Sequence, residues 1–468
     1  MAYNAYITRI KNLHKHPNAD RLQIGECFGN SIVVSLDYKD NQLGIYFPSD
    51  GQLSVEFADA NNLLRKKDEN GNNIGGYMDP DKRNVTAIRL RGEKSDGLFL
   101  PLKSLETFGD ITTLKEGDRI SVFNGHEICT KYIPRRNPRS ARHSDGNRTR
   151  KKKVNVAPLF AEHADTEQLA YNLSVFKPGD QIEMTLKMHG TSQRTGYVPV
   201  FKGYKRTLWD KLFRKEGTPV YDWGYVSGTR RTVLENYDGG YYGSNEFREP
   251  HSKFFEGKLW KGEEVYYEVV GFTHTGTPIM ATADNKKLND KEFVKQYGPT
   301  TTFSYGCESN GKKVEAVMDE ELGHGIAMVD VPQSDIYVYR MTMTNEDGDV
   351  VEYSPDFMRY RCEQMGVKTV PVMWSGIIPE ILNDETLPPE DWITPGTYIK
   401  DVAEIFYAGP DPIGKTHIRE GVVVRIINRP KFTAFKHKNF EFKVLEGIAK
   451  AEAEAPDIEE AEEDNNDN

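Results

Sequence analysis

The sequence predicts an α+β protein, with a small β-rich barrel at the N-terminus and then a larger domain of antiparallel sheets and helices. Three observations predict it. Short runs of β-branched and aromatic residues, separated by Gly, Asn and Asp, fill the first 125 residues. A basic stretch containing Pro and Gly follows at 131–153. Beyond it, strand-like runs outnumber helical ones. At 468 residues there is room for two or three domains and ample core.

Charged residues make up 28% and hydrophobic ones 37%, ordinary for a soluble globular chain. No apolar run approaches the roughly 18 residues of a spanning helix. The start, MAYNAYITRIKNLHKHPNADRL, lacks the apolar stretch of a signal peptide. Cys27, Cys129, Cys307 and Cys362 lie far apart and form no C-x-x-C. That argues against a zinc site or a disulfide framework. The expectation is a cytoplasmic protein with no membrane partner; no oligomer is implied.

The net charge of −10 conceals two opposite segments. Residues 451–468 carry nine acidic and no basic side chains, so the remainder stands at −1. We read 449–468 as an acidic, disordered tail. Residues 131–153 carry ten Lys/Arg against Asp145, a balance of +9, interspersed with Pro134, Pro138 and Gly146. Such a stretch cannot bury a core. We read 126–154 as a basic linker, either a solvated spacer or a strap across phosphates.

In the front unit the strand-like runs are SIVVSL (31–36), NQLGIYFP (41–48), NVTAIRLRG (84–92) and RISVFNG (119–125). HPNADRL (16–22) and RLRGEKSDGLFLP (89–101) together resemble the tRNA-binding OB modules attached to some aminoacyl-tRNA synthetases. As local chemistry alone, Pro17, Asn18 and Asp20 suit a turn entering a strand. The resemblance makes 1–125 an OB-like nucleic-acid-binding domain.

Residues 155–448 form the second domain. FAEHADTEQLAYNL (160–173) reads as a helix capped by Asp165 or Thr166. KPGDQIEMTLKMHGTSQRTGYVPV (177–200) reads as a turn and two strands, with Lys187-Met188-His189-Gly190 between the strands. Arg230 and Arg231 follow a Gly-containing turn. Glu268 sits in an apolar β-run, where a carboxylate needs a partner. DIYVYRMT (335–342) is a strand bearing Tyr337 and Tyr339. SPDFMRYRCEQMG (354–366) is a helix capped by Ser354 and ended by Gly366. Glu420 fronts the apolar strand 419–426. In TAFKHKNFEFK (433–443), Lys436 and Lys438 share one face of a strand.

As an ordered set, Lys187-Met188-His189-Gly190, Arg230/Arg231, Glu268, the Tyr337–Met341 run, Glu420-Gly-Val-Val-Val-Arg425 and Lys436-His437-Lys438 resemble the six collinear motifs of ATP-dependent RNA ligases. These belong to the covalent nucleotidyltransferase superfamily, with DNA ligases and mRNA-capping enzymes. The His-Gly-Thr after Lys187 is similar to the variant in phage double-strand RNA ligases and trypanosome editing ligases. An OB module ahead of the transferase resembles the Deinococcus-type nick-sealing RNA ligases.

The resemblance implies a ligase-type adenylyltransferase domain over 155–448. It also implies an RNA ligase joining 3′-hydroxyl and 5′-phosphate ends through lysyl-AMP and RNA-adenylate. Lys187 would be the nucleophile, with Lys436, Lys438 and Glu420 completing the catalytic set. His189, Gly190, Arg230, Arg231, Glu268, Tyr339 and the two lysines would hold ATP, and Glu420 a Mg2+ or Mn2+ ion. The partner would be RNA, as a nicked duplex or broken ends, with RNA–DNA hybrids also admissible. The chemistry suits these residue types. A lysine near its free pKa of about 10.4 is mostly protonated at neutral pH, so neighbouring positive charge or a metal must favour the amine. Lys436 and Lys438 supply positive charge for the α-phosphate, and a carboxylate suits a hard divalent cation.

Three positions depart from the pattern. Leu186 stands where Glu is frequent, Ser192 where Asn is common, and Arg340 where Asp usually follows the stacking aromatic. Residues 281–330 read as a surface insertion. A DNA ligase, a capping guanylyltransferase and a non-catalytic OB-type RNA-binding protein remain the alternatives.

Overall fold

The computed structural model describes residues 3–67, 73–132, 154–207, 209, 213, 217–234, 236–237, 244–311, 314–318, 326–381, 383 and 392–453. The chain forms two compact units: 1–136 with 283–300 and 439–457, and 137–282 with 301–438 and 458–468. Both are built mainly of antiparallel sheet with a few helices, the α+β class expected. Among the described residues no helix is long and apolar enough to cross a membrane.

The first unit is organised around β1 (Ala5–Lys15), β2 (Leu22–Cys27), β3 (Asn30–Ser35) and β4 (Gln42–Phe47). β1 pairs with β4 along its first half and with β2 along its second, and β2 pairs with β3. Further along the chain, β5 (Leu98–Pro101) pairs with β4, and β6 (Arg119–Ile120) with β1. Ile7, Ile45, Phe47, Leu53 and Phe57 are fully buried in the core. Cys129–Lys131 pairs with Gly51–Leu53, so the pairing continues past residue 125.

The helix Phe440–Ala453, which includes 449–453 of the expected tail, also belongs to this unit. Arg89 and Lys94 each reach Glu441 at 3.0 Å, and Phe442 and Leu445 are fully buried. The expected surface insertion also contributes core here, through Leu288 and Phe293. Residues 133–153 of the basic linker and 454–468 of the tail lie outside the described residues.

The second unit holds two five-stranded sheets. One runs β7 (Glu167–Gln168), β16 (Thr433–Lys438), β15 (Gly421–Ile426), β8 (Gln181–Lys187), β14 (Val372–Ile377). The other runs β10 (Thr218–Gly228), β9 (Thr191–Lys205), β11 (Glu263–Gly271), β12 (Ser334–Thr344), β13 (Val350–Glu352). Alternation in β8 buries Ile182, Met184 and Leu186. On the second sheet, Val265, Tyr267, Val269 and Val338 pack against Met358, Cys362 and Met365 of the helix Pro355–Met365. That helix has the predicted ends: the Ser354 side chain accepts from the Phe357 N–H, and Gly366 takes φ +70°.

The helix expected at 160–173 does not form. Glu167–Gln168 pairs in parallel with Phe435–Lys436, and only short 3-10 turns follow, at Leu169–Tyr171 and Leu173–Val175. Long-range bonds override the helical pattern. The buried Arg194 guanidinium takes the carbonyls of Phe160 and Ala161, and the Ala161 N–H donates to Glu264 at 2.9 Å.

Candidate active site

Strand register assembles the first cluster. β8 pairs with β15 so that Lys187 lies opposite Gly421, and β15 pairs with β16 so that Gly421 lies opposite Lys438. Glu420, one residue before Gly421, therefore lies between two lysines. Its Oε1 is 2.7 Å from Lys187 Nζ and 3.2 Å from Lys438 Nζ, and its Oε2 is 3.5 Å from His189 Nδ1. Glycine is required beside it. A Cβ on Gly421, whose φ is +152°, would come within 2.0 Å of the His437 carbonyl. Lys436 is on the same face of β16 as Lys438, beside Val423 and Gln168.

Glu420 is only 1% exposed. Burial alone would raise its pKa, but Lys187 and Lys438, with His189, hold it down to about 2. The carboxylate is thus ionised, with Lys187 Nζ as its nearer partner. Beyond His189 Nδ1 at 3.5 Å, the buried Glu420 Oε2 has no hydrogen-bond partner among the described residues. An ionised carboxylate with an oxygen so weakly held fits a hard divalent cation. No group of three or more His, Cys, Asp or Glu that could hold a metal by itself occurs among the described residues.

Gly190 brings the second sheet against this cluster. A Cβ there would sit 2.4 Å from the Val269 carbonyl and 2.9 Å from Glu268 Cγ. Glu268 is buried on β11, with Ser192 opposite it on one side and Tyr337 on the other. The Ser192 and Tyr339 hydroxyls are 2.8 Å apart. A bulge lies here, because Tyr267 faces Val338 while Tyr266 faces Arg340, so Tyr339 is the extra residue. The bulge lets Tyr339 and Arg340 both reach His163: its ring is edge-on to Tyr339 at 5.1 Å, and its Nδ1 is 3.3 Å from Arg340. Burial, then Arg230 and Arg340, push the His163 pKa well down, so this imidazole is neutral. Arg340 is anchored by two contacts from Nε to the Glu352 carboxylate, at 2.9 and 3.1 Å.

Arg230 and Arg231 both engage the Asp165 carboxylate, the former at 2.8 Å. Asp165 therefore serves as an ion-pair partner and not as a helix cap. The structure brings Lys187, His189, Lys438 and Glu420 directly together. Glu268 and Tyr339 join through Gly190 and Ser192, and Arg230 through the His163 N–H, which donates to its carbonyl at 3.1 Å.

Sequence reasoning missed the segment 301–305. The Tyr305 hydroxyl, fully buried and with its pKa driven up by burial, accepts from the His189 N–H at 2.6 Å. Phe303 is edge-on to the His189 ring at 4.7 Å. The buried His417, with its pKa lowered by burial, packs edge-on against Tyr305 at 4.6 Å. The signal was the short aromatic run 301–305 inside an otherwise polar stretch.

No protein-family model and no curated protein matches the chain. Solved structures do. An apo mutant of the Naegleria gruberi RNA ligase is similar at TM-score 0.51 and 15% identity, covering 95% of this chain and 98% of that one. A second mutant of that ligase, solved with ATP and Mn, is similar at TM-score 0.51 and 14% identity, covering 94% and 98%. What is shared at this identity is the fold.

Proposed function

We propose that the chain is an ATP-dependent RNA ligase. The observation that carries this is the Lys187–Glu420–Lys438 cluster, set by strand register in a fold shared with a known RNA ligase. Lys187 Nζ, once deprotonated, attacks the α-phosphorus of ATP. A P–N bond forms, the bond to pyrophosphate breaks, and lysyl-AMP results. AMP passes to an RNA 5′-phosphate, and the 3′-hydroxyl then displaces it to form the phosphodiester. A divalent cation, Mg2+ or Mn2+, beside Glu420 would offset phosphate charge and weaken the hold of the carboxylate on the Lys187 proton. Lys438 and Lys436 hold the α-phosphate, Glu268 the ribose hydroxyls, and Tyr339 stacks on adenine. Gly190 lets Glu268 pack close beside the Lys187 segment, where both can face the nucleotide, and His189 lines the pocket beside Glu420. Arg230 and Arg231, turned out from Asp165, would clamp the terminal nucleotide.

The first unit is assigned an OB barrel of the Deinococcus-type arrangement. Its neighbours run β1-β2-β3 on one side and β5-β4-β1 on the other, and the Val33 N–H donates to Ser95 just before β5 at 3.1 Å. The two OB-like signatures also meet: Asn18 donates to the Arg91 carbonyl at 3.0 Å, and His16 Nε2 lies 3.1 Å from that of Leu90. RNA ends, as a nick or a break, are the substrate.

The test is incubation with radiolabelled ATP and a divalent cation, then denaturing electrophoresis. The intact chain should become labelled with ATP and not with GTP. Lys187→Ala should not be labelled, yet should still join a pre-adenylylated strand. Labelling of that variant would remove Lys187 as the nucleophile, and labelling by GTP alone would make the chain a guanylyltransferase.

A further inference from the structure

The β9–β10 hairpin outruns its sheet. β11 pairs with β9 only from Thr191 to Gly196, whereas β9 and β10 stay paired to Lys205–Thr218. Beyond Tyr197 the two strands continue alone for eight residues, about 26 Å at strand rise. Nothing in the nucleotide site uses this arm. At its far end Trp209 and Phe213 lie one helical turn apart, with the Phe213 N–H donating to the Trp209 carbonyl at 2.9 Å. Their rings stack at 5.9 Å and 10°, yet they are 69% and 62% exposed. Two large rings held parallel in water are poor core material. The local sequence is basic: residues 201–216 carry six Lys/Arg against Asp210 and Glu216. Of these, Lys202, Lys205 and Arg206 are exposed on the described arm.

A second observation ties the arm to the basic linker. The Phe201 N–H donates to the Val156 carbonyl at 2.7 Å, and the Tyr221 hydroxyl to the Asn155 carbonyl at 3.2 Å. The chain thus enters this unit along the arm. Lys151, Lys152 and Lys153 directly precede Val154 in the sequence.

We propose that this arm grips unpaired nucleotides of the RNA substrate, with bases stacked on Trp209 and Phe213 and phosphates facing Lys202, Lys205 and Arg206. The proposal rests on the RNA-joining function. Stacking on aromatic rings flanked by cations is the general chemistry of sequence-tolerant single-strand binding.

The test measures binding of the intact chain to a fluorescently labelled single-stranded RNA over a salt series. Trp209→Ala with Phe213→Ala should weaken binding on the order of ten-fold or more. Lys202→Ala, Lys205→Ala and Arg206→Ala together should flatten the slope of log affinity against log salt by roughly 2. Both variants should still form lysyl-AMP, which reports on folding and on the catalytic assignment separately from RNA binding. Unchanged RNA affinity and salt slope in labelled, folded variants would overturn the proposal. So would full RNA binding by the aromatic variant with lost binding to phosphatidylserine vesicles, which would make the arm a membrane contact.

Discussion

At Glu420 desolvation and ion pairing pull in opposite directions, and the two lysines prevail. The folded-state pKa, about 2, is below the ordinary 4.5. The stabilisation is therefore fully present above about pH 4.5 and is lost as pH falls towards 2. Glu420→Gln should flatten this part of the acid limb of stability, read from denaturant midpoints over that range. An unchanged acid limb would show that the pairing does not stabilise the fold. Tyr305 offers a narrower test. Tyr305→Phe keeps the ring but leaves the His189 N–H without its acceptor, a loss of roughly 1–3 kcal/mol for a buried donor. Lysyl-AMP formation should slow on the order of ten-fold at matched folding. A wild-type rate would reduce the segment 301–305 to packing.

Among the elements, β12 shows how local geometry re-aims chemistry. Arg340 looked anomalous in the sequence, where Asp was expected. The bulge at Tyr339 turns both residues towards His163, and Glu352 on the neighbouring β13 supplies the charge that Arg340 needs. The pair is nearly buried, at 6% and 12% side-chain exposure. Glu352→Ala should destabilise the chain by about 3–5 kcal/mol, because it leaves a buried guanidinium uncompensated. Adding Arg340→Met should recover much of that loss, as measured by urea unfolding. Failure of the double variant to recover would mean that the contacts of Arg340 with Tyr266, Phe432 and His163 matter more than its ion pair.

For the whole molecule, the chain order of the motifs does not coincide with the compact units. β16 ends at Lys438, and the helix that begins at Phe440 packs in the first unit, as does 283–300. A chain shortened to 155–468 keeps Lys187, Glu420 and Lys438. It strips the partners from the buried Phe442, Leu445, Leu288 and Phe293. It should form lysyl-AMP but bind a hydrophobic dye, unlike the intact chain. Its RNA affinity should also depend less steeply on salt, because the +9 segment is gone. A truncated chain that excluded the dye and kept the full salt slope would show that neither the first unit nor the linker has these roles.

The sequence by itself determined the β-rich character, the strands β8 and β9 around Lys187, and the helix from Ser354 to Gly366. Period-two alternation, capping residues and terminal glycine are local signals, readable without knowing what lies opposite. The motif order also singled out Lys187, Glu268, Glu420 and Lys438, and the apolar run around Glu268 marked that carboxylate as needing a partner. Only the tertiary structure decided which partners those are. The placing of Glu420 between two lysines follows from β8–β15–β16 register, and the β8–β15 pairing joins residues more than two hundred positions apart. The false helix at 160–173 has the same origin. Its local pattern favoured a helix, but the buried Arg194 and Glu264 claimed its backbone groups, and a buried guanidinium or carboxylate left unsatisfied costs more than a helical turn gains. Tyr305 stayed hidden because an aromatic in a polar insertion carries no mark of the backbone N–H it will meet across the fold.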